Sequence, residues 1–312
     1  MQIVIIVQMM YRRITLSLLI LLFSVFFSSR LNAQDDYAWW NTIHQWDGHT
    51  PWHEYLTIST SYLGPNALPV PETMKGSLST EFEFEQMIGG HFSKGDQTQD
   101  LFSRIYIPIC QGKVALEAFV VPLEFFSMDT ITRDQRAART QSGEGRAGGD
   151  IYFSTHVQLI QDKENLPDIA LELAFRTASG TRLRDARFTD GSGYYMDLSF
   201  GRSYALAEER SIEMRLFAML GFYSYQTYDR QHLQNDALLA GAGLEIKNSK
   251  FSFTQSLSGY RGYLENGDRP MVYKTSLQWK RRRIDAKLWY QWGLNDFPYH
   301  SIRAGLVYHV AL

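Results

Sequence analysis

The stretch SIRAGLVYHVAL, Ser301–Leu312, decides the fold. Every second residue (Ile302, Ala304, Leu306, Tyr308, Val310, Leu312) is apolar. Those between, Ser301, Arg303, Gly305, Val307, His309 and Ala311, are mostly small or polar. A period of two puts the two sets on opposite faces of an extended strand. Such a strand fits a sheet with one wet face or a barrel wall between lipid and a polar interior.

The alternation recurs upstream. Ile169, Leu171, Leu173 and Phe175 oppose Ala170, Glu172, Ala174 and Arg176. Ile212, Met214, Leu216, Ala218, Leu220 and Phe222 form a long apolar face, and Ile284, Ala286, Leu288, Tyr290 and Trp292 form another. Gln86 and Gln255 interrupt the apolar side of their segments. Twelve strands are predicted, near 78–91, 98–109, 112–125, 150–160, 168–178, 193–205, 210–224, 236–247, 250–262, 270–280, 282–293 and 300–312. Links after even-numbered strands are tight, except that Gln161 to Pro167 is somewhat longer. Those after odd-numbered strands, above all 126–149, 179–192, 225–235 and 263–269, are mostly longer. Strand length, an even count, this loop asymmetry and aromatics near strand ends (Tyr194, Tyr223, Trp279, Trp292, Tyr308) favour a transmembrane antiparallel β-barrel over a soluble sandwich.

Composition agrees. A mean hydropathy of −0.26 is too polar for a helical bundle in a membrane but suits strands with one polar face. A net charge of −2 gives no electrostatic case for nucleic acid. The single cysteine, Cys110, excludes an intrachain disulfide and a cysteine-based zinc cluster.

The N-terminal 33 residues read as an export signal. Arg12 and Arg13 precede the apolar run ITLSLLILLFSVFF, and Ala33 sits at a cleavage position. The apolar patch before Met9 and Met10 suggests that the true start is one of these methionines. Residues 34–76 do not alternate. They carry Trp39, Trp40, Trp46 and Trp52, and a proline-broken stretch, GPNALPVPE, that must be turn and extended chain. A short helix capped by Asp35 or Asp36 is expected at their start. Two readings fit: a plug or periplasmic latch on the barrel, or an interfacial segment with tryptophans at headgroup level. A metal site from His44, His49, His53 and Glu54 matches no ligand spacing, and no cofactor is indicated.

Residues 77–312 resemble bacterial outer-membrane β-barrels as a class. Leu306, Tyr308, Val310 and Leu312 resemble the C-terminal signal read by the barrel-assembly machinery, with Leu312 in place of its usual Phe. The LNA-Q ending of the export segment is similar to signal peptides of Bacteroidota. The resemblance implies a Gram-negative outer membrane, with lipid around the wall, the assembly machinery as a partner in biogenesis, and short turns and both termini in the periplasm.

The polar faces would then line the interior. They supply Arg104, Glu117, Glu172, Arg176, Asp197, Glu213, Arg215, Asp285, Lys287 and Arg303, with Glu81, Glu83 and Glu85 on the first strand. Charges of both signs suit an interior sealed by ion pairs or a water-filled channel. Ser154 and His156 share one face, with Asp197 two strands away, but residues two apart on a strand are about 7 Å apart, too far for a nucleophile and its base to bond directly. The leading expectation is a passive channel or facilitator for a small solute. The alternatives are a non-conducting structural component with an outer-membrane protein partner, and a lipid-modifying enzyme.

Overall fold

A computed structural model describes residues 36–207 and 211–311. The export segment and Leu312 lie outside the described residues. The strands, in chain order, are β1 Glu81–Ser93, β2 Asp96–Ile109, β3 Val114–Met128, β4 Glu144–Ala147, β5 Tyr152–Ile160 and β6 Asp168–Arg176. They continue as β7 Gly193–Ala207, β8 Ile212–Gln226, β9 Gln234–Lys247, β10 Phe251–Arg261, β11 Met271–Trp279, β12 Ile284–Asn295 and β13 His300–Ala311. All pairings are antiparallel. The β1–β13 register, Glu81 opposite Ala311 through Phe92 opposite His300, closes the sheet into a ring. The ring has twelve strands, as the sequence predicts, with β4 outside it. Closure leaves no row of unpaired backbone groups to face lipid.

The period-two pattern becomes two surfaces. On β13, Ile302, Leu306 and Tyr308 are exposed on the outer wall, while Ser301 and Val307 are buried inside. On β8, Leu216 and Leu220 face out and Arg215, Phe217 and Met219 face in. An apolar belt around a polar interior is the inverse of a soluble core and is the outer-membrane type of barrel. Gln86, the odd residue on the apolar side, has a local reason. A bulge between Leu101 and Ser103 shifts the β2–β3 register beside it, and the Gln86 amide donates to the Phe102 carbonyl at 2.8 Å while its oxygen accepts from Ser103 at 3.1 Å. Tyr194, Trp279, Trp292 and Tyr308 face outward as expected of a girdle. Tyr223 does not. The alternation of β8 turns it inward, where it packs edge-on against Tyr195 and Tyr260.

Two links differ from the sequence reading. The β1–β2 connection is only Lys94–Gly95, because the ladder runs to Ser93 opposite Asp96. The 126–149 stretch is not a loose loop. It holds a helix at Thr130–Gln135, capped by Asp129, which accepts from the Thr132 N–H at 2.7 Å, and then β4. β4 pairs with the overhanging end of β3, Glu124 opposite Ala147, and so satisfies backbone groups β5 does not reach.

Residues 36–41 belong to a unit distinct from the barrel unit, which begins at Thr42. A short helix, Ala38–Ile43, starts where Asp36 accepts from the Ala38 N–H at 2.9 Å. Beyond Tyr55 the chain enters the lumen. Ser59 and Thr60 donate to the carbonyls of Asn266 and Gly267 in the β10–β11 loop, and Gly64 N–H donates to Ala186 in the β6–β7 loop. Twelve residues later, Gly76 accepts from Gln158 near the β5–β6 turn. Residues 56–79 therefore run from the loop end to the short-turn end, where β1 begins and β13 finishes. Residues 42–55 lie at the loop end, where Glu54 meets Arg230 and His53 packs on Tyr228.

Glycines make the track. Gly76 has φ +77°, and a Cβ there would lie 2.5 Å from the Gly201 nitrogen on β7. A Cβ on Gly241 of β9 would lie 2.5 Å from Thr73 Oγ1. The inner segment thus lies against β7–β9, the side where the wall has lost its side chains. Gly76→Ala combines a left-handed conformation, worth about 1–2 kcal/mol, with backbone overlap. It should lower the temperature at which heat-modifiable gel migration is lost. An unchanged midpoint would show that the segment is not held at this glycine pair.

Candidate functional site

The lumen is a charged chamber crossed by the inner segment. At its loop end, strand carboxylates meet guanidinium groups delivered by loops. Arg187, from the β6–β7 loop, reaches Asp96 and Glu124, both at 2.7 Å, and donates to Thr98 Oγ1 at 2.7 Å. Arg136, from the β3–β5 connection, reaches the same Asp96 oxygen at 2.6 Å and donates to Tyr299 OH at 2.9 Å. Tyr299, from the β12–β13 loop, donates to Asp96 at 2.6 Å. Arg187, Asp96 and Glu124 are essentially solvent-free. Burial works against the Arg187 cation, but Glu124 and Asp96 more than offset it and raise its pKa. Three loops are tied to β2 and β3 by this one knot.

The knot also holds the inner segment. Asn66 donates to Asp100 at 2.9 Å and Glu124 at 2.7 Å, and its carbonyl oxygen accepts from Arg303 at 2.8 Å. Arg303 also pairs with Asp100, which accepts from or pairs with His91 Nε2 at 2.9 Å. Midway, Arg176 donates to the Ala67 carbonyl at 3.0 Å and Lys274 to the Val70 carbonyl at 2.9 Å. At the turn end Lys75 pairs with Glu245 at 2.6 Å, while Arg215 donates to the Lys75 carbonyl at 2.8 Å and pairs with Asp168 at 2.6 Å. Prolines at 65, 69 and 71 keep this stretch extended and offer no N–H, so its bare carbonyls take these side-chain donors.

The remaining interior is a cavity of about 320 Å³ beside the segment. It reaches from Ser77 and Ser79 near the turn end to Asn66 and Phe297 below the loops. Arg104 stands in its wall and gathers Glu83 at 2.5 Å, Glu85 at 2.9 Å and Glu117 at 3.0 Å. Lys287 adds a contact to Glu85 at 2.8 Å.

The sequence-derived lumen residues thus fall into separate groups. Arg104, Glu117 and Lys287 come together around the cavity, with Glu83 and Glu85. Arg176, Arg215 and Arg303 hold the inner segment instead of lining a bare channel. Asp285 lies near the turn end, accepting from the Arg281 N–H at 2.7 Å, with His309 at 3.1 Å. Glu213 is a rim residue. It pairs with Lys247 at 3.3 Å and both are about a third exposed. Glu81 is likewise half-exposed beside His309. Glu172 and Asp197 oppose each other on β6 and β7. Ser154 and His156 share the inner face of β5, and neither Ser154 Oγ nor His156 Nε2 makes a hydrogen bond among the described residues.

The plug or interface tryptophans, Trp39, Trp40, Trp46 and Trp52, do not fall on the inner segment. Residues inside the barrel, 56–79, contain none. Trp46 donates to the Thr50 carbonyl at 2.7 Å, and Trp52 lies under Arg139 at the loop end. Trp39 and Trp40 lie on the Ala38–Ile43 helix. Residues the sequence reading missed are those of the knot: Asn66, Asp96, Asp100, Glu124, Arg136, Arg187 and Tyr299. Asp96, Asp100 and Glu124 carried a signal, since each takes an inward position in its strand. The loop arginines carried none.

No protein-family model matches the sequence, and no curated protein matches it. Among solved structures, the chain is similar to the KdgM porin in complex with disordered oligogalacturonate, at 8% identity and TM-score 0.43, over 72% of this chain and 98% of that one. It is similar to an outer membrane channel from Pseudomonas putida F1, at 8% identity and TM-score 0.49, over 78% and 97% of the two chains. The translocator domain of the autotransporter NalP from Neisseria meningitidis gives 11% identity and TM-score 0.41, over 76% and 90%.

Two predictions come from the loop end. Arg187→Met leaves Asp96 and Glu124 short of their main counter-charge and should cost about 3–5 kcal/mol, read as a lower urea midpoint of the folded barrel. A midpoint within error of the parent would mean that the knot is not load-carrying. Asp150, in the link before β5, accepts from the Gly180 N–H at 2.6 Å, and its burial pushes its pKa up to about 6 despite Arg176 nearby. A raised acid favours its protonated form in the fold. The stability this contributes is complete below the unfolded value near 3.8 and is lost as pH rises through about 6. The protection factor of the Gly180 amide, the rate corrected for intrinsic base-catalysed exchange, should therefore fall between pH 4 and pH 6, by an amount on the order of 3 kcal/mol at most. Asp150→Asn should flatten that profile.

Proposed function

We propose that this chain is an integral outer-membrane barrel that admits a small solute through the cavity beside its inner segment, residues 56–79 acting as the plug that governs passage. The observation that carries this reading is the cavity itself. It runs along the lumen from Ser77 and Ser79 to Asn66, walled by charged and aromatic side chains, where an interior built only for rigidity would be packed shut. The plug is pinned by polar contacts along its length, at Asn66, at the Ala67 and Val70 carbonyls and at Lys75, and it also buries Leu63, Leu68 and Val70. Exchange of those hydrogen bonds gives the segment a way to shift without dismantling the wall.

A second reading, a sealed non-conducting component of an outer-membrane assembly, draws on the Arg187 knot, which closes the loop end with solvent-free ion pairs. Planar-bilayer recording of the refolded chain from Gln34 separates the two. The channel reading expects discrete small steps from the full chain and larger ones after deletion of residues 56–74. Asn66→Ala with Lys75→Ala loosens both pins while keeping the chain length and should raise conductance if the deletion does not fold. Silence from all of them, with heat-modifiable migration intact, would favour the sealed component and overturn the channel.

A further inference from the structure

We propose that the β3–β5–β6–β7 wall of this cavity is a binding site for a primary ammonium group of a small organic cation. The proposal rests on the lumen cavity assigned above as the solute path, and names the class of solute its wall selects.

Balanced charge in the sequence hides an imbalance in space. Arg104 pairs with Glu83, Glu85 and Glu117, and Lys287 pairs with Glu85. Glu172 and Asp197 make no ion pair among the described residues; the group facing Glu172 from β5 is His156, whose Nε2 lies 3.8 Å from Glu117. They stand directly opposite each other on β6 and β7, so their side chains share a face, with Cβ atoms about 4.5–5.5 Å apart. Glu172 is 4% exposed and accepts from Tyr195 OH at 3.1 Å, with the Ser154 hydroxyl beside it. Asp197 is 1% exposed, and neither of its oxygens makes a hydrogen bond among the described residues. Two opposed carboxylates in a dry wall cannot both stay charged without a positive group between them. A solute cation placed beside both would supply that charge.

The surroundings choose the kind of cation. In the adjoining register row, Ser154 faces Ala174, so two small side chains stand beside the acids, with the buried Ser154 hydroxyl next to Glu172. Phe119 and Tyr152 stack at 4.4 Å and 9°, and both line the cavity together with Glu172 and Tyr195. Carboxylates beside aromatic faces suit an ammonium on a carbon stem, which uses charge, hydrogen bonds and ring contact together. A bare metal ion would need converging ligands, and no group of three His, Cys, Asp or Glu among the described residues is arranged to hold one.

The test is a thermal-migration titration of the refolded chain from Gln34 with propylammonium chloride, with sodium chloride, calcium chloride and sodium propionate as separate arms. The proposal expects a saturable rise in midpoint with propylammonium alone. Glu172→Gln should weaken the apparent affinity at least tenfold, and Phe119→Leu, which removes a ring and no charge, several-fold. A rise with sodium or propionate equal to that with propylammonium, a calcium-only response, or an affinity unmoved in both variants would each overturn it. Because this readout needs no current, a barrel silent in bilayers that still binds propylammonium would overturn the channel and leave the site standing. A conducting barrel with no propylammonium response would do the reverse.

Discussion

The structure depends on neutralising carboxylates that the barrel wall directs inward. A closed antiparallel sheet with an apolar outside must send its other face to the interior, and here that face carries Asp96, Asp100, Glu85, Glu117 and Glu124. Each would be costly in a partly dry lumen without a counter-charge. Arg104 and Lys287 meet the need from the wall. Arg136 and Arg187 meet it from loops, and Arg303 does so while also holding Asn66. Charge compensation therefore does the work that apolar packing does in a soluble core. It joins wall, loops and inner segment into one network.

That division of labour explains the placement of the inner segment. Its residues around Thr73 and Gly76 fit where Gly201 and Gly241 strip the β7–β9 wall, and its carbonyls take donors from Arg176, Lys274 and Arg215. The opposite wall keeps its large charged and aromatic side chains, and the space between becomes the cavity. On the wall between, Arg104 is shared among three carboxylates, while Glu172 and Asp197 make no ion pair among the described residues. Pairing is thus dense at the loop end and sparse in the middle of the lumen, which is where a solute would meet the wall.

Much of the architecture was legible in the chain. Twelve strands, their inward and outward faces and the proline-broken extended stretch all follow from local rules: a strand's side chains alternate, and proline lacks a donor. The inward charges on Arg104, Glu117, Lys287 and Arg303 were readable for the same reason. Tyr223 shows where the reading slipped, since an aromatic near a strand end suggests a girdle until the register turns it inward. The tryptophans misled similarly, because composition marked 34–76 as special without saying which part enters the lumen.

What the sequence by itself determined is a barrel wall with two chemically opposite faces, since period and strand length depend only on neighbouring residues. Only the tertiary structure decided which charges cancel, that residues 42–55 sit at the loop end with the chain crossing the lumen toward the turns, and that the knot draws on Arg136, Arg187 and Tyr299. Those facts depend on residues more than two hundred positions apart, as Asp96 and Tyr299 are, meeting across a closed ring. Local pattern carries no record of such meetings, because any inward charge can be paired by any donor that the closure brings within reach.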